Sequence, residues 1–229
     1  RLMTKPNYPR RGAIAVATPQ ANPTVEPEFQ ALAPAGVGIY VTRLTSGAKS
    51  SRRRLTGYLR QLDRAVASFD TLPLAGFGFA CTGSSYLLGR AEEARLIKAA
   101  AAPYPIITAT MAIEATLAAG GIKKIALISP YPEWLNTAAV AYWREGGITV
   151  SAINRITLPS DDTRGIYQLT PEIVNRHLSG LEINHADAVL ISGTGLPSLA
   201  LIPKIAKRTG LPVFSSNACL AEFCFGLLA

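Results

Sequence analysis

Apolar residues follow two alternating patterns along this chain. Short, strongly apolar segments occur near Ala13–Ala17, Gly38–Thr42, Ala75–Ala80, Pro105–Thr108, Ile125–Ser129, Val150–Ile153, Ala188–Ile191 and Val213–Phe214. Each has the length and content of a buried strand. The segments between them carry apolar residues at helical spacing. Leu55, Tyr58, Leu59, Leu62, Val66 and Phe69 recur at steps of three and four residues, which predicts one helical face packed on a sheet. Gly120-Gly121 and Gly146-Gly147 each follow a helical pattern and precede a strand, where glycine closes a helix in the left-handed conformation. Strands separated by helices from end to end predict βαβ units and parallel sheets.

The pattern is also internally repeated. Cys81-Thr82-Gly83-Ser84-Ser85-Tyr86-Leu87 aligns with Gly193-Thr194-Gly195-Leu196-Pro197-Ser198-Leu199, and each segment follows a strand. Pro105-Ile106-Ile107-Thr108 aligns with Pro212-Val213-Phe214-Ser215, and Val16-Ala17-Thr18-Pro19 with Leu127-Ile128-Ser129-Pro130. The prediction is an α/β protein of two pseudo-symmetric, doubly wound lobes with parallel sheets and a cleft between them. The first lobe spans 1–110, with a terminal helix at 216–229 packing on it, and the second spans 111–215. Ligands of open α/β sheets bind beyond the carboxyl ends of the strands. Four loops should therefore converge on the cleft: the Pro19 loop, the Pro130 loop and the two Thr-Gly turns.

Composition narrows the function. The 229 residues are 48% hydrophobic and 17% charged, which excludes a disordered chain, and the net charge is +8. Apart from Arg52-Arg53-Arg54 the basic residues are scattered, without interleaved aromatic residues, so no nucleic-acid partner is expected. The apolar runs are far shorter than the roughly 20 residues of a membrane span. Three cysteines, Cys81, Cys219 and Cys224, at unrelated spacings favour reduced thiols and a cytoplasmic location. No metal-ligand spacing, glycine-rich dinucleotide turn or phosphate-binding lysine loop is present, so neither a metal nor another cofactor is expected.

The chemistry concentrates at Cys81. It stands between a strand and a helix-opening Thr82-Gly83-Ser84-Ser85 turn, where free backbone N–H groups and the helix dipole favour thiolate over thiol. The hydroxyls of Thr82, Ser84 and Ser85, with the turn's amides, supply neutral donors to a carboxylate or an enolate-like anion. Buried cysteines at strand ends are also commonly inert packing. Cys219 and Cys224 lie five residues apart in a helical stretch, on different faces, and read as packing. His177 and His185 fall outside the four loops.

Taken together, the loops resemble those of the aspartate/glutamate racemase superfamily, in the branch that holds maleate cis-trans isomerases and arylmalonate decarboxylases. The resemblance rests on Asn22-Pro23-Thr24-Val25-Glu26-Pro27-Glu28, Ala80-Cys81-Thr82, Ser129-Pro130-Tyr131 and Ser215-Ser216-Asn217. It implies two pseudo-symmetric lobes, a site without cofactor, a small carboxylic acid as substrate, and a homodimer or higher homo-oligomer. It also implies that Cys81 is the nucleophile and that Asn22, Thr82, Ser84, Tyr131, Thr194 and Gly195 hold carboxylates. Gly193 stands at the substrate site where two-cysteine relatives carry their second cysteine. The decarboxylases keep one cysteine on the opposite lobe and have glycine where this chain has Cys81. Asp162-Thr163 departs from the isomerases' Asp-Asn. The leading expectation is a maleate-isomerase-type enzyme. The alternatives are an arylmalonate-type decarboxylase in which Cys81 protonates the opposite face, and an anion-binding module without turnover.

Overall fold

The computed structural model describes residues 8–228; residues 1–7 of the expected first lobe and residue 229 of the expected terminal helix lie outside that range. Two four-stranded sheets form, each entirely parallel. The first contains β1 (Ala13–Pro19), β2 (Gly38–Leu44), β3 (Gly76–Phe79) and β4 (Ile106–Thr108) in the order β2-β1-β3-β4. The second contains β5 (Lys124–Ser129), β6 (Thr149–Arg155), β7 (Ala188–Ile191) and β8 (Val213–Ser215) in the order β6-β5-β7-β8. Both sheets thus have the same strand order, and the strands of the aligned segments occupy equivalent places.

The connections are α1 (Val25–Leu32), α2 (Ser51–Leu59), α3 (Leu62–Ala67), α4 (Thr82–Ala99), α5 (Ala109–Ala119), α6 (Glu133–Glu145), α7 (Pro171–His177), α8 (Ile202–Thr209) and α9 (Ser216–Gly226). A 3-10 turn spans Thr163–Gln168. The central strands β1, β3 and β7 are buried along their length, as their unbroken apolar sequences require. One large apolar core joins the first sheet to α4, α5, α6 and α9, and a smaller one built on Ile128, Val189, Ile191, Leu201 and Ile205 fills the far side of the second sheet. The terminal helix α9 lies against α1, α5 and β3.

Two details differ from the expectation or refine it. The predicted continuous helical face over Leu55 to Phe69 is divided into α2 and α3 at Arg60-Gln61. There the Gln61 amide nitrogen donates to the carbonyls of Gly57 and Thr45, and its backbone N–H closes a tight turn onto Tyr58. The buried phase survives the break, since Leu55, Tyr58, Leu59, Leu62 and Val66 remain buried. At both glycine pairs it is the second member, Gly121 or Gly147, that takes the positive φ.

Candidate active site

The four loops meet at the carboxyl ends of the strands. The strand β3 delivers Cys81, and α4 begins at Thr82 with Cys81 as its N-cap residue. From the second lobe, Thr194 Oγ1 donates to the carbonyl of Ala80 at 2.8 Å, directly before the cysteine. Asn22 Nδ2 donates to Thr194 Oγ1 at 3.3 Å, and the Thr24 hydroxyl donates to the carbonyl of Gly195 at 3.0 Å. Tyr131 reaches back to the first lobe, its hydroxyl 2.8 Å from Thr82 Oγ1. Tyr86 makes the reciprocal link, its hydroxyl 2.9 Å from Ser192 Oγ. Cys81, Thr82, Ser84, Asn22, Tyr131, Gly193, Thr194 and Gly195 are therefore brought together, and all are buried.

The thiol of Cys81 is 4% exposed. Burial is the largest influence on it and pushes it above the ordinary thiol value, because a thiolate loses its hydration there. The Ser84 hydroxyl, 3.1 Å from Sγ, and the backbone N–H groups of Ser84 and Gly83 act in the opposite direction. The donors expected at the helix start are present, but burial acts more strongly than they do and holds the thiol above its ordinary value. The Ser84 hydroxyl is also 2.7 Å from the carbonyl of Leu55, so its proton is engaged inside the protein. Ser85 points elsewhere, donating to Glu93.

Gly193 has φ +106, a conformation that side chains rarely adopt. A Cβ placed there would meet the Tyr131 hydroxyl at 3.3 Å and Pro130 at 3.4 Å. At Gly195 a Cβ would collide with the Tyr167 ring at 2.7 Å. Each glycine therefore lets a tyrosine approach the backbone of the second turn. A charge on Cys81 would raise Tyr58, Tyr131 and Tyr167, all three of which are already held above the usual phenol range by burial. The sulfur is thus surrounded by neutral phenols.

Several surrounding residues were not assigned to the site from sequence. Arg54 is 2% exposed and donates to the carbonyls of Ala48 and Lys49, to Ser51 Oγ and to Asp162. Ser51 Oγ in turn accepts from the Thr163 N–H at 3.1 Å. These bonds join the start of α2 to the loop before the 3-10 turn, and Ser51 and Asp162 form part of the wall of a groove of about 450 Å³ lined also by Lys49, Arg52 and Trp134. Glu28 is buried and accepts from the N–H groups of Ser198 and Leu199 and from Asn217 Nδ2 at 2.7 Å. The same Asn217 nitrogen donates to the Thr194 carbonyl at 3.0 Å. Arg54 had a signal in the sequence, since it lies four residues before Tyr58 on the same helical face. Tyr167 had none.

A family model described as arylmalonate decarboxylase matches residues 57–223. The chain belongs to that family. Membership places it in the branch of the aspartate/glutamate racemase superfamily that the loops indicate. Among its relatives, the maleate isomerase of Geobacillus stearothermophilus is 28% identical over 221 residues, covering 89% of this chain and 86% of that protein. The maleate isomerase of Pseudomonas putida is 26% identical over 217 residues, covering the same shares of the two chains. A Cys-to-Ser variant of the Nocardia farcinica maleate cis-trans isomerase, solved with a covalently bound succinylcysteine intermediate, superposes with a TM-score of 0.82 at 24% identity, over 95% of this chain and 92% of that one. The two-lobed fold is shared with that solved structure. His177 and His185 lie on the surface, away from this site, and Cys219 and Cys224 are buried in α9. Among the described residues no helix is long and apolar enough to cross a membrane.

Proposed function

We propose that this protein is a cofactor-independent isomerase of the maleate cis-trans type, acting on a small dicarboxylate through Cys81. The observation that carries this reading is the placement of Cys81 at the start of α4, between the Ser84 hydroxyl and the Thr82–Tyr131 pair. The similarity to curated maleate isomerases over most of the chain supports it. In this reading the thiol adds across the double bond: a C–S bond forms, the thiol proton passes to the substrate, and the central carbon–carbon bond becomes single. Rotation about that bond and reversal of the addition release the trans acid and restore the thiol. Carboxylates are held by neutral donors, Asn22, the Thr82–Tyr131 hydroxyl pair and the amides of the turns at Thr82-Gly83 and Thr194-Gly195, which stabilise charge without neutralising it.

The absence of a second thiol at Gly193 gives weight to one other reading, decarboxylation of an arylmalonate-type diacid with Cys81 as the proton donor to the resulting enediolate. The experiment that separates them supplies maleate and phenylmalonate in turn and follows fumarate by proton NMR and carbon dioxide release. The isomerase reading expects fumarate without gas evolution, and loss of that activity in a folded Cys81→Ser variant. Carbon dioxide from phenylmalonate with no fumarate from maleate would replace it with the second reading.

A further inference from the structure

Glu93 is a buried carboxylate, 3% exposed, outside the residues that line the site. Three hydroxyls converge on it: Ser85 donates to Oε1 at 2.6 Å, Thr110 donates to Oε1 at 2.9 Å, and Tyr142 donates to Oε2 at 2.6 Å. No lysine or arginine pairs with it among the described residues. The nearby Arg90 is engaged with Glu114 and lies over the Tyr142 ring. A carboxylate taken out of water without a cation is an unfavourable element of a core, so apolar packing would join these helices at lower cost. What the three donors provide is a fixed direction.

The backbone is built to permit this arrangement. Ser85 and Glu93 both belong to α4, and in a straight helix residues eight apart are separated by about 12 Å along the axis. The helix is broken at Gly89, with φ 76 and ψ 167, and the break returns Glu93 to within hydrogen-bond reach of Ser85. Ser85 follows Ser84, whose hydroxyl touches the Cys81 sulfur, and precedes Tyr86, whose hydroxyl meets Ser192 beside Gly193. The other two donors come from α5 and from α6 of the second lobe.

We propose that Glu93 is a positioning residue, which holds the first turn of α4 through Ser85 and so fixes the Cys81 thiol and its donors against the second lobe. The inference rests on the reading of Cys81 as the reacting group. It is tested with Glu93→Gln, Ser85→Ala and the double variant, each checked for folding by circular dichroism. For maleate turnover, each single variant should lower kcat by about 30-fold with KM within about twofold, since small misplacement of a reacting group has effects of this order. The double variant should lose no more than either single one, because both act through one contact. Alkylation of Cys81 by iodoacetamide, read by peptide mass, should be about fivefold faster in each, as the loosened turn admits reagent to a buried sulfur. Unchanged kcat in Ser85→Ala, a loss carried by KM, multiplying effects in the double variant, or alkylation that is unchanged or slower would each overturn the proposal. If the unaltered protein fails to convert maleate, the functional reading fails and the alkylation series still decides the role of Glu93. If Glu93→Gln does not fold, Ser85→Ala carries the test alone.

Discussion

Tyr131 stands against Gly193 so closely that a Cβ on the glycine would lie 3.3 Å from the phenol oxygen. The position aligned with Cys81 in the other lobe is therefore unfavourable for a side chain on two counts, a tight contact that Tyr131 would have to relieve by a few tenths of an ångström and the backbone angle. Any residue with a Cβ at φ +106 is strained by about 1–3 kcal/mol. Gly193→Ala and Gly193→Cys are accordingly expected to be less stable than the parent by that amount in urea denaturation. Gly193→Cys is further expected to gain no exchange of a substrate Cα proton with deuterated water, since the added sulfur would have to displace Tyr131 from Thr82. Equal denaturation midpoints would show that the turn relaxes freely, and the argument for a one-thiol site built into the backbone would be lost.

The three thiols make stability depend on alkaline pH. Burial pushes Cys81 above its ordinary value of 9.0, Cys219 to about 11 and Cys224 to about 12. The folded state keeps these protons to higher pH than the unfolded chain, so above pH 9 unfolding releases protons and stability falls as pH rises. Below the ordinary thiol range both states are protonated and the dependence vanishes. Each thiol contributes at most about 1.4 kcal/mol per pH unit within its window. The urea midpoint should be level from pH 7 to 8 and fall between pH 9 and 10.5, with a shallower fall in Cys224→Ala. The same protonation makes Cys81 alkylation rise steadily from pH 7 to 9 without a plateau. A plateau below pH 8 would mean that the helix-terminal donors overcome burial.

The fold was legible because parallel strands covered on both faces leave unbroken apolar runs, and because the two lobes repeat the same run-and-turn order. Cys81, Tyr131 and the two Thr-Gly turns were legible because each directly follows a strand, where open sheets bind ligands. The supporting residues were harder to read. Glu28 looks like an acidic residue favoured by a helix N-terminus, and only the structure shows that its carboxylate gathers Ser198, Leu199 and Asn217 from far along the chain. The break between α2 and α3 depends on a glutamine side chain reaching the Thr45 carbonyl, a long-range bond that leaves no periodic trace. The opposing influences on Cys81 differ in legibility for a related reason: the donors are local in sequence, whereas the burial that raises the thiol is the sum of both lobes.

Arg54 offers a test of how the lobes are held over the site. Its guanidinium reaches the carbonyls of Ala48 and Lys49 in the loop before α2, Ser51 Oγ at 3.0 Å, and Asp162 from the other lobe. The Asp162 carboxyl is held well below the usual carboxylate range, first by Arg164 and then by Arg54. Its contribution to stability is therefore present above that range and lost as pH falls below it. Removing the guanidinium in Arg54→Ala takes the donor from the carbonyls of Ala48 and Lys49 at a buried position, a change of about 1–3 kcal/mol, while the partly exposed Asp162 keeps Arg164. A lysine is a compact charge that does not reproduce the planar fork, so Arg54→Lys should recover only part of the loss. Asp162→Asn keeps the arginine's three contacts within the first lobe and removes the charge from the acceptor that crosses to the second. It is therefore expected to change maleate KM more than the urea midpoint, because it weakens one tie of the loop beside the groove while the Ser51 bonds to Asp161 and Thr163 keep the loop in place. A midpoint shift in Asp162→Asn as large as that of Arg54→Ala, with KM unaltered, would instead assign this pair to stability alone.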